Sequence, residues 1–137
     1  MTDSSARGMP AQSILSSSAV IVAFAADDAY AVPLSAAVAS LIGNLGVSRK
    51  ASIFIIDGGI GAANKDRILQ LSDGEKSRIQ FIRPSESLTG QLQSLPTGYV
   101  GQSAYYKLFL PDLLGADHSR ILYLDSDVIV EGDVHEL

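Results

Sequence analysis

Arg120-Ile-Leu-Tyr-Leu-Asp-Ser-Asp-Val-Ile-Val130 is the stretch on which the reading of this chain turns. Ile121, Leu122, Tyr123 and Leu124 form a short, β-prone apolar run of the kind a buried strand carries. The run stops on Asp125-Ser126-Asp127 and resumes as Val128-Ile129-Val130. Side chains alternate along an extended segment, so Asp125 and Asp127 point to one side and Ser126 to the other. Two carboxylates that close repel, and burying them costs more, so either one takes a proton or a cation sits between them. Oxygen ligands suit Mg²⁺ or Mn²⁺, hard cations that usually keep positions open for a substrate's phosphates. The plainer alternative is that both aspartates end a strand and cap a turn, since so short a pattern is common. The apolar frame on either side favours the metal.

Upstream, the same succession of apolar run and acidic stop recurs. Ala19-Val-Ile-Val-Ala-Phe-Ala25 is apolar throughout, as expected for a first strand covered on both faces of a parallel sheet, and it gives way to Asp27-Asp28. Leu34, Val38, Leu41, Ile42 and Leu45 follow at helical spacing, with Gly46 as the stop. Ala51 to Ile56 reads as a second strand ending on Asp57-Gly58-Gly59. Ala62 to Leu71 reads as a weaker helix with Lys65, Asp66 and Arg67 outward, and Arg78 to Ile82 as a third strand before Pro84. Ser85 to Gly98, rich in small and polar residues and without period, reads as a surface loop. Tyr105, Leu108, Phe109 and Leu113 make a helical core face bent or interrupted by Pro111, with Ser103 and Lys107 on a different face. Met1 to Ser18 is polar and small and reads as a disordered or loosely attached lead-in, leaving 19–137 as one domain.

Strands and helices alternate, which makes the fold class α/β: a mostly parallel sheet with helices on both faces. In such a sheet the ligand lies beyond the carboxyl ends of the strands, at a switch in strand order. Asp27-Asp28, Asp57 and Asp125-Asp127 all end strands, so the carboxylates collect on one rim. No GxGxxG follows the first strand, so phosphate would be held through a metal rather than a glycine-rich turn.

Composition narrows the partners. The 137 residues are 47% hydrophobic and 18% charged, with a net charge of −5, as for one globular domain with a core of its own. An acidic balance disfavours nucleic acid or an anionic membrane as the main partner. There is no cysteine, which excludes disulfides, thiolate metal sites and cysteine nucleophiles. No run approaches the roughly 18 apolar residues of a transmembrane segment, and Met1 to Ser18 lacks a signal peptide's apolar middle, so a cytoplasmic location is expected.

Four blocks in order, Phe24-Ala-Ala-Asp-Asp-Ala-Tyr30, Ile56-Asp-Gly-Gly-Ile60, Ser103-Ala-Tyr-Tyr-Lys-Leu108 and Leu122-Tyr-Leu-Asp-Ser-Asp-Val128, resemble glycosyltransferase family 8. That family includes bacterial lipopolysaccharide galactosyl- and glucosyltransferases and the glycogenins. The resemblance covers about residues 19–134. It implies a GT-A fold, Rossmann-like and nucleotide-sugar-binding. It also implies a UDP-sugar donor (UDP-glucose or UDP-galactose), Mn²⁺ or Mg²⁺ on the DxD motif, a saccharide or glycolipid acceptor, and hexose transfer with retention of configuration. Carried over by position, Asp27 would accept a hydrogen bond from uracil and Tyr30 would stack on it. Ala25, Lys107, Asp125 and Ser126 would line the rest of the nucleotide, and Asp125 and Asp127 would hold the metal. Lys107, the catalytic candidate, would meet the phosphates where many members have Arg, keeping the charge but not the bidentate fork. Ala29 replaces an Asn common in bacterial members. From the residues alone, Asp27 and Asp28 could equally cap a helix and Tyr30 could equally pack in a core.

Members of the family continue well past the DxD strand, into a region that carries a third metal ligand, a histidine, and most of the acceptor site. This chain ends at Leu137, and His118 and His135 match no such position and read as surface residues. The resemblance thus implies a C-terminally truncated, donor-binding half, with any peripheral membrane attachment in the missing part. Alone it should bind UDP weakly and transfer little or no sugar. The rivals are an inactive UDP-sugar-binding fragment, a haloacid-dehalogenase-type phosphatase with an aspartyl nucleophile in the DxD, and a phospho-receiver domain built on Asp27-Asp28, Asp57, Thr89 and Lys107. The phosphatase normally carries its DxD on the first strand, and the receiver's acceptor follows the third strand rather than the second.

Overall fold

The computed structural model describes residues 19–96, 102–115 and 117–137, so the lead-in expected over residues 1–18 lies outside it. Strands β1 (Ala19–Ala26), β2 (Lys50–Asp57), β3 (Ser77–Ile82) and β4 (Leu122–Tyr123) form one sheet in the order β3-β2-β1-β4. Every pairing is parallel, and β1 and β2 run in register from Ala19↔Lys50 to Ala26↔Asp57. The expected parallel sheet with helices on both faces is the observed architecture.

Alternation along β1 explains its unbroken apolar sequence. Val22, Phe24 and Ala26 enter one core, while Ala23 and Ala25 enter another on the opposite face. In the first core they meet Leu34, Ala37, Val38 and Leu41 of α1 (Ala31–Gly43) and Ile68 of α2 (Ala62–Leu69). In the second they meet Leu88 and Leu92 of α3 (Glu86–Gln93), Tyr106 of the 3₁₀ segment Gln102–Phe109, and Leu110 of α4 (Leu110–Leu114).

Several local expectations change. The first helix ends at Gly43 rather than running to Gly46, although Leu45 beyond it stays buried. Residues 86–93 of the expected loop are helical: Ser85 Oγ accepts the Leu88 N–H at 3.1 Å as an N-cap, and Leu88 and Leu92, one turn apart, fill the second core. Two leucines among polar residues give too weak a period to be read without the sheet they pack on. Pro111 does not bend a helix; it lies in the first turn of α4, where its missing N–H is no loss. Tyr106 and Leu110 are the buried anchors there, while Leu108 is 65% exposed. Tyr106 lies beside Gly58 and packs with Leu110 in the second core.

The last strand is also shorter than its sequence. Only Leu122–Tyr123 pair with Val22 and Ala23, extended by the Leu124 N–H to Ala23 O at 3.0 Å. Val128 and Val130 are not in a strand; they pack on the first core as the chain turns away along α1. Lys65, read as outward, is turned onto Asp57.

Candidate functional site

Because all four strands are parallel, Asp27, Asp57 and Asp125 stand at one edge of the sheet. The chain steps from β1 outward to β2 and β3, then returns to the other side of β1 as β4. Loops leaving β1 and β4 therefore diverge, and the crevice of a doubly wound sheet opens at such a reversal. Asp27 to Tyr30 leave β1 there, and Asp125 to Asp127 leave β4. Continuing the Ala23↔Tyr123 register sets Asp125 level with Ala25.

Asp27 is the N-cap of a short 3₁₀ turn, Asp28–Tyr30, its Oδ1 accepting the Tyr30 N–H at 3.2 Å. Among the described residues its Oδ2 has no partner. Tyr30 is 49% exposed and belongs to neither core, so its ring is open at the rim. Asp28 points elsewhere: its Oδ1 accepts the Gly61 N–H at 2.8 Å and Asn64 Nδ2 at 2.9 Å. Those bonds, the Gly61 N–H first, hold its carboxyl below the ordinary value and tie the turn to the start of α2.

Asp57 is 5% exposed. Its Oδ1 accepts the Gly59 N–H at 2.9 Å and the Ile60 N–H at 2.7 Å, its Oδ2 lies 2.5 Å from Lys65 Nζ, and Arg83 Nη1 stands 3.9 Å away. Burial pushes this carboxyl's pKa up, but Lys65 and the two N–H groups outweigh it and leave the pKa lowered. Above it the Tyr106 hydroxyl is pushed up by burial and by the Asp57 charge. Asp57 is thus a compensated structural carboxylate, and the receiver reading loses its phosphate acceptor.

Asp125 and Asp127 contrast with it. Both are exposed, Ser126 between them is half-buried, and Asp127 lies with Ser126 in a turn rather than inside a strand. Among the described residues neither carboxylate takes part in an internal hydrogen bond or ion pair. The Tyr123 hydroxyl is pushed up by burial and then by the charge of Asp125. Lys107 is exposed on the 3₁₀ segment next to Tyr106, whereas Ala25 is buried in the second core and can offer a ligand only its backbone. The Ser103 side chain lies outside the description. His118 is half-buried with its ring 5.8 Å from that of Phe54, and His135 Nε2 is 2.7 Å from Lys50 O at the opposite edge of the sheet; neither is a plain surface residue and neither belongs to the rim.

Among the described residues no group of three or more His, Cys, Asp or Glu side chains is placed to hold a metal ion. No helix among them is long and apolar enough to cross a membrane.

Residues 21–137 match the family Glycosyl transferase family 8. The chain belongs to glycosyltransferase family 8. General stress protein A of Bacillus subtilis (strain 168) is 32% identical over 117 residues, which is 82% of this chain and 39% of that protein. The lipopolysaccharide 1,2-glucosyltransferase of Escherichia coli (strain K12) is 39% identical over 72 residues, 52% of this chain and 20% of its own length. Two structures of LgtC, an active-site mutant and the galactosyltransferase in complex with donor and acceptor sugar analogues, align with TM-scores of 0.73 and 0.71. Each is 26% identical, covering 85% of this chain and 41% of LgtC. This family 8 chain therefore has the GT-A-like fold, and it spans less than two fifths of the length of either curated relative.

Sequence reasoning on this family 8 chain overlooked the ion pair of Asp57 and Lys65, and Tyr106 above it. No local pattern announces a lysine eight positions on that reaches back to a strand end. The glycines were the available signal: Gly59 has φ +120, and a Cβ on Gly58 would stand 3.1 Å from Ala26 O.

Proposed function

We propose that this chain is the nucleotide-sugar-binding part of a retaining hexosyltransferase that uses a UDP-hexose, UDP-glucose or UDP-galactose, and a saccharide or glycolipid acceptor. The observation that carries the reading is the placement of Asp125 and Asp127. They are exposed and, among the described residues, unpartnered, and they flank the switch point opposite Asp27 and Tyr30. The glucosyltransferase relative and the sugar-analogue complex of LgtC support the reading.

Asp27 holds its open carboxylate oxygen toward the imide N–H of uracil, and Tyr30 presents its ring for stacking on the base. Ala25 contributes backbone at the end of β1, and Ser126 a hydroxyl between the two carboxylates. Asp125 and Asp127 would hold Mn²⁺ or Mg²⁺, which when bound would supply positive charge to neutralise the diphosphate. Lys107 adds a point charge for the same phosphates. In the transfer, the bond from the anomeric carbon to the β-phosphate oxygen breaks with its electron pair leaving on UDP. A bond forms from the anomeric carbon to an acceptor hydroxyl oxygen, whose proton passes to the departing phosphate oxygen. Charge builds on UDP in that step, so cationic groups around the diphosphate stabilise it more than the ground state.

Calorimetry with UDP tests the reading. Binding should require Mn²⁺ or Mg²⁺ and disappear in Asp127→Asn. Equal UDP affinity in Mn²⁺ and in EDTA would overturn the metal-bridged site.

A further inference from the structure

We propose that Ser40 and Asn44, at the C-terminal end of α1, are positioning residues for Asp125 and Asp127: they latch the chain that leaves the DxD turn and so hold the two carboxylates ready for a cation. The inference rests on the metal assignment above, and it concerns residues that assignment does not use.

The sheet's grip on this part of the chain ends where the Leu124 N–H meets Ala23 O at 3.0 Å. The next hydrogen-bonded hold among the described residues is at Val130, whose N–H donates to Ser40 Oγ at 2.9 Å and whose carbonyl accepts from Asn44 Nδ2 at 2.8 Å. Both backbone groups of one residue are thus taken by two side chains of a helix far away in sequence. The latch is braced in turn, because Asn44 Nδ2 also donates to Ser40 O at 2.8 Å and Ser40 Oγ donates to Ala37 O at 2.8 Å. Residues 125–129, which carry both carboxylates, make no backbone hydrogen bond to the sheet or to α1 between these two anchors, and only the half-buried Val128 side chain packs on the core there.

Two like charges on a chain held at one end relax apart, and a cation must first bring them back together. With both ends anchored, much of that ordering is done in advance, and affinity rises in proportion to the competent population. Farther along, Asp133 also fastens this segment, accepting the Gly46 N–H at 3.1 Å and the His135 N–H at 3.0 Å, and His135 reaches Lys50 O. Those contacts lie beyond Val130, so losing them weakens the fold without releasing residues 125–129. Position and stability can therefore be told apart by comparing the two sets.

The experiment measures Mn²⁺ binding from the electron paramagnetic resonance of the free ion, with and without UDP, beside the urea midpoint of each protein. Ser40→Ala combined with Asn44→Ala should raise the Mn²⁺ Kd roughly tenfold, the scale of two lost hydrogen bonds. Ser40→Thr, which keeps the hydroxyl, should stay near wild type. Asp133→Ala should lower the urea midpoint and leave the Mn²⁺ Kd within about twofold, as an independent site does. A double variant with unchanged Mn²⁺ Kd overturns the latch, and so does an Asp133→Ala protein that loses as much affinity as the double variant. If the double variant fails to fold, Asn44→Ala alone, which removes one exposed side chain, is held to the same two outcomes. A wild-type protein indifferent to Mn²⁺ overturns the metal assignment and the latch together, a failure visible before any variant is made.

Discussion

The ends of β2 and β4 carry aspartate on the same rim, yet the two ends serve opposite purposes. After Asp57 the chain bends back at once through Gly58-Gly59, returning two N–H groups to Oδ1, and α2 brings Lys65 to Oδ2. After Asp125 the chain runs on through Ser126 and Asp127, and no donor among the described residues comes back to either carboxylate. A strand-end carboxylate becomes structural when the following turn and helix satisfy it, and it stays available for a ligand when they do not. Rim position alone does not separate the two cases; the partners do.

The largest expected effect breaks the satisfied end. Lys65→Ala leaves Oδ2 of the buried Asp57, among the described residues, with only Arg83 at 3.9 Å, while Oδ1 keeps its two N–H donors, and should destabilise the fold by about 3 kcal/mol in urea unfolding, the scale of half a buried ion pair removed. Next comes the open end's own chemistry: Tyr30→Ala should weaken UDP binding by about 1–3 kcal/mol with Mn²⁺ affinity and stability nearly unchanged, read by calorimetry and urea. Loss of stability in place of affinity would show that the ring serves packing instead.

A subtler effect is acidic. The folded pKa of Asp57 lies below its ordinary 3.8, so between the two values the folded state binds fewer protons than the unfolded one. Its stabilisation is complete above about pH 3.8 and is lost as pH falls through the lowered folded value. Asp28, Asp73 and Asp133 are lowered as well and share this limb, so Asp57→Asn should make the acid loss of stability shallower rather than abolish it, as thermal melts across pH will show. The smallest effect belongs to Asp127→Asn, which removes one of two neighbouring charges. Its stability should stay within about 0.5 kcal/mol of wild type, with any change a gain. A loss as large as that of Lys65→Ala would erase the distinction between the two strand ends.

The sequence by itself determined the parallel α/β layering, the placing of carboxylates at strand ends and the family. Unbroken apolar runs cut off by acidic residues are local signals, and a strand buried on both faces has no other way to be written. Tertiary structure alone decided which carboxylates are occupied. Lys65 reaches Asp57 because α2 folds back on β2, Tyr106 becomes an anchor because it packs on the second face of the sheet, and Ser40 and Asn44 meet Val130 only once the chain beyond β4 lies along α1. It also decided that Leu88 and Leu92 make a helix, since two leucines specify nothing until a sheet face is there to receive them. Each of these depends on a contact between residues distant in sequence or on a surface formed by the folded sheet, and no local pattern encodes either.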